Sequence, residues 1–132
     1  MSALTFKAYE FAISAHRGQK YGDKPYSWHI SNVSKRLEPD DEVGSAVAYL
    51  HDVVEDTQFT IDDLKKQFGS VIVNAVDAIT RRDGEKYFDY IRRLSSNPIA
   101  KRVKIADLQE NLSQGDLSLS TRYYKALKML EE

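Results

Sequence analysis

At 132 residues the chain has room for one domain with a real core, but not for two. Its 19 Lys and Arg against 20 Asp and Glu give no general attraction to a nucleic acid polymer or a membrane. With no cysteine, disulfides and thiolate metal sites are excluded, so any metal must be held by histidine and carboxylate.

Met1 to Tyr9 lacks a basic region followed by a long apolar run, and no apolar stretch could span a bilayer, so a cytoplasmic protein is expected. No repeat or Pro/Gly-rich linker divides the chain, so residues 1–132 read as a single domain.

Leu4, Ala8, Phe11, Ala12 and Ala15 recur at helical spacing and predict a first helix over residues 3–17. Gly18 to Pro25 reads as a basic loop, and a second helix is expected from Tyr26 to Leu37 with His29 in its first turn. Asp40 or Asp41 can cap a third helix that runs through Val43, Ala46, Val47 and Leu50 into His51-Asp52-Val53-Val54-Glu55-Asp56. Thr60 and Asp63 form a capping box in which Asp replaces the usual Glu or Gln. The helix it opens ends near Gly69, and Val71, Ile72, Ala75, Val76 and Ile79 predict another, ending near Thr80. After a charged break, helices are expected over residues 87–94, 99–112 and 119–130. The expected fold is therefore an all-α bundle of seven to eight helices.

The chemistry gathers at the HDxxED run. On a helix His51 and Glu55 share one face and Asp52 and Asp56 the next, so an imidazole and three carboxylates crowd together. Carboxylates that close raise one another's pKa unless a cation or a proton is shared. Alone, the run is either such a cluster or a charged helix end where Asp56 and Thr57 begin a cap. His29, read alone, is a surface or core-edge histidine. Further on, Lys104, Asp107 and Asn111 follow i, i+3, i+7 and share a face, either as a solvated stripe or as part of a site.

Five motifs in order, His16-Arg17-Gly18-Gln19, Pro25-Tyr26-x-x-His29, His51-Asp52-x-x-Glu55-Asp56-Thr57, Phe68-Gly69 and Lys104-x-x-Asp107-x-x-x-Asn111, resemble the HD-superfamily hydrolases. Within them the chain is most similar to the hydrolase domain of the RelA/SpoT proteins and the small alarmone hydrolases. The resemblance implies that His29, His51, Asp52 and Asp107 bind one divalent metal, usually Mn²⁺, with Fe²⁺, Co²⁺, Zn²⁺ or Mg²⁺ as alternatives. It also implies that Glu55 and Asp56 activate and orient the attacking water, with Glu55 the first choice as base. Asn111 is implied to contact the nucleotide, and Tyr123 matches a family tyrosine near it. His16 reads as structural.

A polyanionic substrate calls for cations near the metal, and the candidates are Lys20, Lys24, Arg81, Arg82 and Lys86. Lys104 is either a phosphate contact or a support for Asp107. Where many alarmone hydrolases stack an arginine on guanine, this chain has Tyr21 or Lys20, and residues 80–85 and 108–110 also depart from the family pattern.

The expected partner is a small-molecule nucleotide, with the 3′-pyrophosphate of (p)ppGpp or (p)ppApp as the bond broken. The alternatives are a phosphatase for a nucleoside monophosphate or the NADPH 2′-phosphate, or a catalytically idle nucleotide-binding module.

Overall fold

The computed structural model describes residues 1–115 and 118–132. The described chain is helical: α1 (Ala3–Ala15), α2 (Tyr26–Lys35), α3 (Glu42–Leu50), α4 (Val53–Asp56), α5 (Ile61–Lys65), α6 (Ser70–Ile79), α7 (Tyr87–Leu94), α8 (Pro98–Ser113) and α9 (Ser120–Glu131). The all-α expectation holds. The segment beyond eight is α4, a single turn that the sequence reading joined to the third helix.

That difference has a local cause. Asp52 takes φ −106°, ψ 1°, which interrupts the helix between Leu50 and Val53, and the His51 ring turns back so that Nδ1 meets the Ala48 carbonyl at 2.6 Å. The chain then resumes a helical turn, with Asp56 N–H donating to the Asp52 carbonyl at 3.0 Å.

The basic loop contains an antiparallel hairpin, β1 (Lys20–Tyr21) against β2 (Lys24–Pro25), with Tyr21 opposite Lys24. Its two-residue turn needs positive φ at Gly22, at 62°, which glycine adopts without a steric penalty. Strands this short leave no readable alternation, so the sequence showed only a loop.

The bundle is centred on α3, whose residues Ala46 to Leu50 are all buried, as expected of a helix that is apolar on every side. It packs against α1, α2, α6 and α8. Ala8 and Ala12 bring α1 against it, and Asp41, which caps α3 at Gly44, is gripped by both arms of Arg102 from α8 at 2.7 and 2.9 Å. The expected capping box is present, with Thr60 and Asp63 satisfying each other's backbone N–H groups.

A second, smaller apolar cluster joins Tyr90, Ile91 and Leu94 of α7 to Leu108 of α8 and to Ala126 and Leu130 of α9. Helix α8 therefore belongs to both clusters, through Val103 and Ala106 in one and Leu108 in the other. Asp107 lies between them. No helix among the described residues is long and apolar enough to cross a membrane.

Candidate metal centre and flanking cavities

Three buried side chains from three helical regions meet beside the end of α3. His29 from α2, His51 just after α3 and Asp107 from α8 each offer a ligand atom, all within 4.8 Å of one another. His29 Nε2 lies 3.0 Å from Asp107 Oδ1, and His51 Nε2 lies 3.3 Å from the same oxygen. Asp52 adds a carboxylate oxygen 3.0 Å from His51 Nε2.

The donor set fits a divalent cation. His51 commits its Nδ1–H to the Ala48 carbonyl, which turns the lone pair of Nε2 toward two carboxylate oxygens. This buried Nε2 has no hydrogen-bond partner among the described residues, and neither has His29 Nδ1. Lone pairs facing each other at about 3 Å repel unless a proton or a cation stands between them. That spacing also suits neighbouring ligands at right angles around an ion with bonds of about 2.1 Å. The site can hold a metal.

The electrostatics agree. Burial alone would lower the His51 imidazole, but the Asp52 and Asp107 carboxylates outweigh it and hold it well above its ordinary value. Burial pushes Asp52 up, and His51 overrides it, bringing the carboxyl down to about 2. Asp107, also buried, is held well below its ordinary value by Lys104 and His51.

Supporting contacts fix these side chains. The Tyr26 hydroxyl donates to Asp52 Oδ2, Lys104 Nζ to Asp107 Oδ2 at 3.1 Å, and Asn111 Nδ2 to Asp107 Oδ1 at 3.4 Å. Lys104 also sits 5.4 Å from the centre of the Tyr90 ring and lines neither of the two cavities beside the site. Its geometry matches a support for Asp107.

The larger of these cavities, about 880 Å³, has Glu55, Asp56, Arg81, Arg82 and Lys86 on its walls. Glu55 Oε1 accepts the Arg81 backbone N–H at 2.5 Å. Burial raises the Glu55 carboxyl against that hydrogen bond, and the Asp52 charge adds to the rise. Burial and then Asp52 raise Asp56 as well. The Arg81 guanidinium is engaged with the Glu85 carbonyl at 2.9 Å and with the Tyr87 ring. Arg82 is spent on Asp77 and the Thr80 carbonyl. Lys86 is exposed on the cavity wall.

The other cavity, about 560 Å³, is lined by Tyr21, Lys24, Trp28, Asn111 and Tyr123 among others. Tyr21 stacks on His29 with ring centres 4.4 Å apart and planes 8° from parallel, and its hydroxyl donates to Asn111 Oδ1 at 2.5 Å. Lys20 is exposed and lines neither cavity. Side chains alternate along a strand, so the neighbour of Tyr21 falls on the opposite face.

No protein-family model matches the chain. It is 33% identical over 132 residues to the guanosine-3′,5′-bis(diphosphate) 3′-pyrophosphohydrolase MESH1 of Drosophila melanogaster, spanning 91% of this chain and 73% of that protein. The chain belongs to the MESH1/SpoT family of pyrophosphohydrolases. The human MESH1 protein is 32% identical over 123 residues, with 84% of this chain and 69% of that protein covered. A GTP pyrophosphokinase of Streptomyces coelicolor is 32% identical over 120 residues, but this chain spans only 14% of its length. A solved metazoan ortholog of SpoT, described as hydrolysing ppGpp, matches with a TM-score of 0.76 at 26% identity over 98% of this chain and 84% of that one.

Two contributors to this MESH1/SpoT-type site carried no assigned role in the sequence reading. Tyr26 lies three residues before His29, hence on the same helical face, and that spacing was the available signal. Gln19 accepts from His16 Nδ1 at 2.9 Å and donates to the Asp56 carbonyl at 2.7 Å, so the opening motif braces the end of α4.

Proposed function

We infer that this protein is a metal-dependent hydrolase that removes the 3′-pyrophosphate of ppGpp-type nucleotides. The convergence of His29, His51 and Asp107 around one cation-sized gap carries the reading, and family membership supports it. Asp52 completes the ligand set, and Mn²⁺ is the ion proposed, with Fe²⁺, Co²⁺, Zn²⁺ and Mg²⁺ as competitors. A divalent ion held there supplies Lewis acidity, lowering the pKa of water and neutralising phosphate charge.

The remaining work falls to the chain's own residues. Glu55 takes the proton of the attacking water, and Asp56 orients it. Burial raises both carboxyls, which makes each a stronger base when ionised. The water oxygen bonds to the phosphorus attached to the ribose 3′-oxygen, the bond from that 3′-oxygen breaks, and inorganic pyrophosphate leaves as the 3′-hydroxyl gains a proton. Lys86 and Arg81 face the charge of the phosphates, while Tyr21, Tyr123, Asn111 and Lys24 receive the base and sugar in the smaller cavity. We take residues 1–132 as one hydrolase domain acting in the cytoplasm.

The test is ion-exchange analysis of products with Mn²⁺ and a panel of ppGpp, ppApp, nucleoside monophosphates and NADPH. Pyrophosphate released from a 3′-pyrophosphorylated nucleotide is expected. Absence of release from every 3′-phosphorylated member would remove the assignment. NADPH belongs in the panel because an uncharged Tyr21 ring, not a guanidinium, covers His29.

A further inference from the structure

The loop between α6 and α7 is held by a network that ends on the proposed base. Arg93 of α7 places Nε 2.8 Å from one Glu85 carboxylate oxygen and a terminal nitrogen 2.9 Å from the other, a two-armed ion pair. The same guanidinium donates to the Ala78 carbonyl at 3.1 Å and the Thr80 carbonyl at 2.9 Å. Glu85 in turn accepts the Arg82 backbone N–H at 3.1 Å, and its carbonyl accepts Arg81 Nε at 2.9 Å. Gly84, at φ 75°, supplies the tight reversal that brings Glu85 back under the loop. Every residue from 80 to 86 lines the larger cavity, whereas Arg93 does not.

One group of this loop touches the proposed base itself: the Arg81 N–H, which donates to Glu55 Oε1 at 2.5 Å. Glu55 lies on the one-turn helix α4, and among the described residues the Arg81 N–H is the one hydrogen-bond donor to its carboxylate. The Glu85 carboxyl is held down to about 2, chiefly by Arg93, so the ion pair is intact at any working pH.

We propose that Arg93 is a positioning residue for Glu55, acting through Glu85 and the 80–86 loop whose Arg81 amide orients the Glu55 carboxylate. The proposal rests on the reading of Glu55 as the base. A misplacement of about 1 Å from a substitution remote from the chemistry can cost up to about 100-fold in rate.

The test compares Arg93→Met, Arg93→Lys and Glu85→Gln in the Mn²⁺-loaded protein, alone and combined with Glu55→Gln. The kcat for ppGpp is expected to fall roughly 10- to 100-fold in Arg93→Met and less in Arg93→Lys, with Mn²⁺ affinity little changed. In the Glu55→Gln background Arg93→Met is expected to cost nothing more. In parallel, amide NMR of the protein loaded with diamagnetic Mg²⁺ follows the Arg81 N–H, expected to be shifted downfield and protected in the wild type and released in Arg93→Met and Glu85→Gln. An unchanged Arg81 amide in those variants, or the same rate loss with Glu55 already removed, would overturn the proposal. Should Glu55→Gln keep full turnover while Arg93→Met frees the amide, the base assignment fails and the structural coupling stands. If Arg93→Met does not fold, Arg93→Lys and Glu85→Gln decide on the same readouts.

Discussion

His29 and Asp107 stand 78 positions apart and meet at 3.0 Å between Nε2 and Oδ1, with His51 Nε2 3.3 Å from the same oxygen. Two imidazoles aimed at one buried carboxylate oxygen could hold a cation, and an ion bound there would tie α2 and α8 to the end of α3. Removing the metal should therefore cost stability as well as activity. At a free Mn²⁺ concentration about 100 times Kd, binding stabilises by about 2.7 kcal/mol, or roughly 10 °C in Tm for a domain of this size. Melting with EDTA and with Mn²⁺ checks this, and Asp107→Asn is expected to abolish the shift. A shift that persists in Asp107→Asn would place the ion elsewhere.

The same cluster sets a pH dependence for the metal-stripped protein. Against burial, His51 holds Asp52 down to about 2, and Lys104 and His51 hold Asp107 well below 3.8. Lowered carboxylates stabilise the fold above their ordinary value, and that contribution is lost as pH falls through the folded values. His51 runs the other way. Raised above 6.5 by Asp52 and Asp107 despite burial, it contributes fully below that pH and loses the contribution as pH rises through its folded value. Glu55 and Asp56 are raised too, but both line the open cavity, where solvent screens their effect. Urea midpoints in EDTA should be highest between about pH 4 and about 6.5 and fall on both sides. Excess Mn²⁺ replaces the His51 proton and should flatten the alkaline fall. A midpoint in EDTA that still climbs at pH 8 would contradict this account.

Tyr26 gives a sharper test of the ligand shell. Its hydroxyl donates to Asp52 Oδ2, and its ring packs 4.4 Å from that of His16. Tyr26→Phe keeps the ring and deletes only the hydrogen bond. Partners that orient metal ligands are worth about 10- to 100-fold in metal affinity or activity, so weaker Mn²⁺ binding of that order is expected by calorimetry, with little change in Tm under EDTA. Unchanged affinity would mean that Asp52 needs no such anchor.

What was legible in the sequence was local. Helical spacing located the helices to within a few residues, and the Thr60–Asp63 box was readable because both partners lie within one turn. The ligand candidates were readable from motif order, although no short-range rule says that His29 and Asp107 meet. The break at His51 was hidden, because a run whose spacing suits a helix does not reveal a ring folded back on Ala48. The Arg93–Glu85 and Arg102–Asp41 pairs were hidden for another reason. Their partners are 8 and 61 positions apart, and in a chain rich in both signs of charge, composition does not choose among pairings.

Tyr21 bears on which nucleotide the site accepts. It lies parallel over His29 and closes on Asn111, so it forms the wall between the smaller cavity and His29. A base entering that cavity meets an uncharged ring with Trp28 and Tyr123 nearby, and stacking on an aromatic side chain is worth about 1 to 3 kcal/mol per base. Tyr21→Ala is therefore expected to raise KM for ppGpp by roughly 5- to 150-fold, with a much smaller effect on kcat. Tyr21→Phe retains the ring and loses only the Asn111 hydrogen bond, about 0.5 to 1.5 kcal/mol, so its KM should rise less. Tyr21→Arg restores a guanidinium and should shift the ratio of kcat/KM for ppGpp over ppApp toward guanine. Steady-state kinetics on both nucleotides measures all three variants. If Tyr21→Ala matched the wild type in KM, the base would have to bind outside this cavity, and the larger cleft beside Glu55 would become its site.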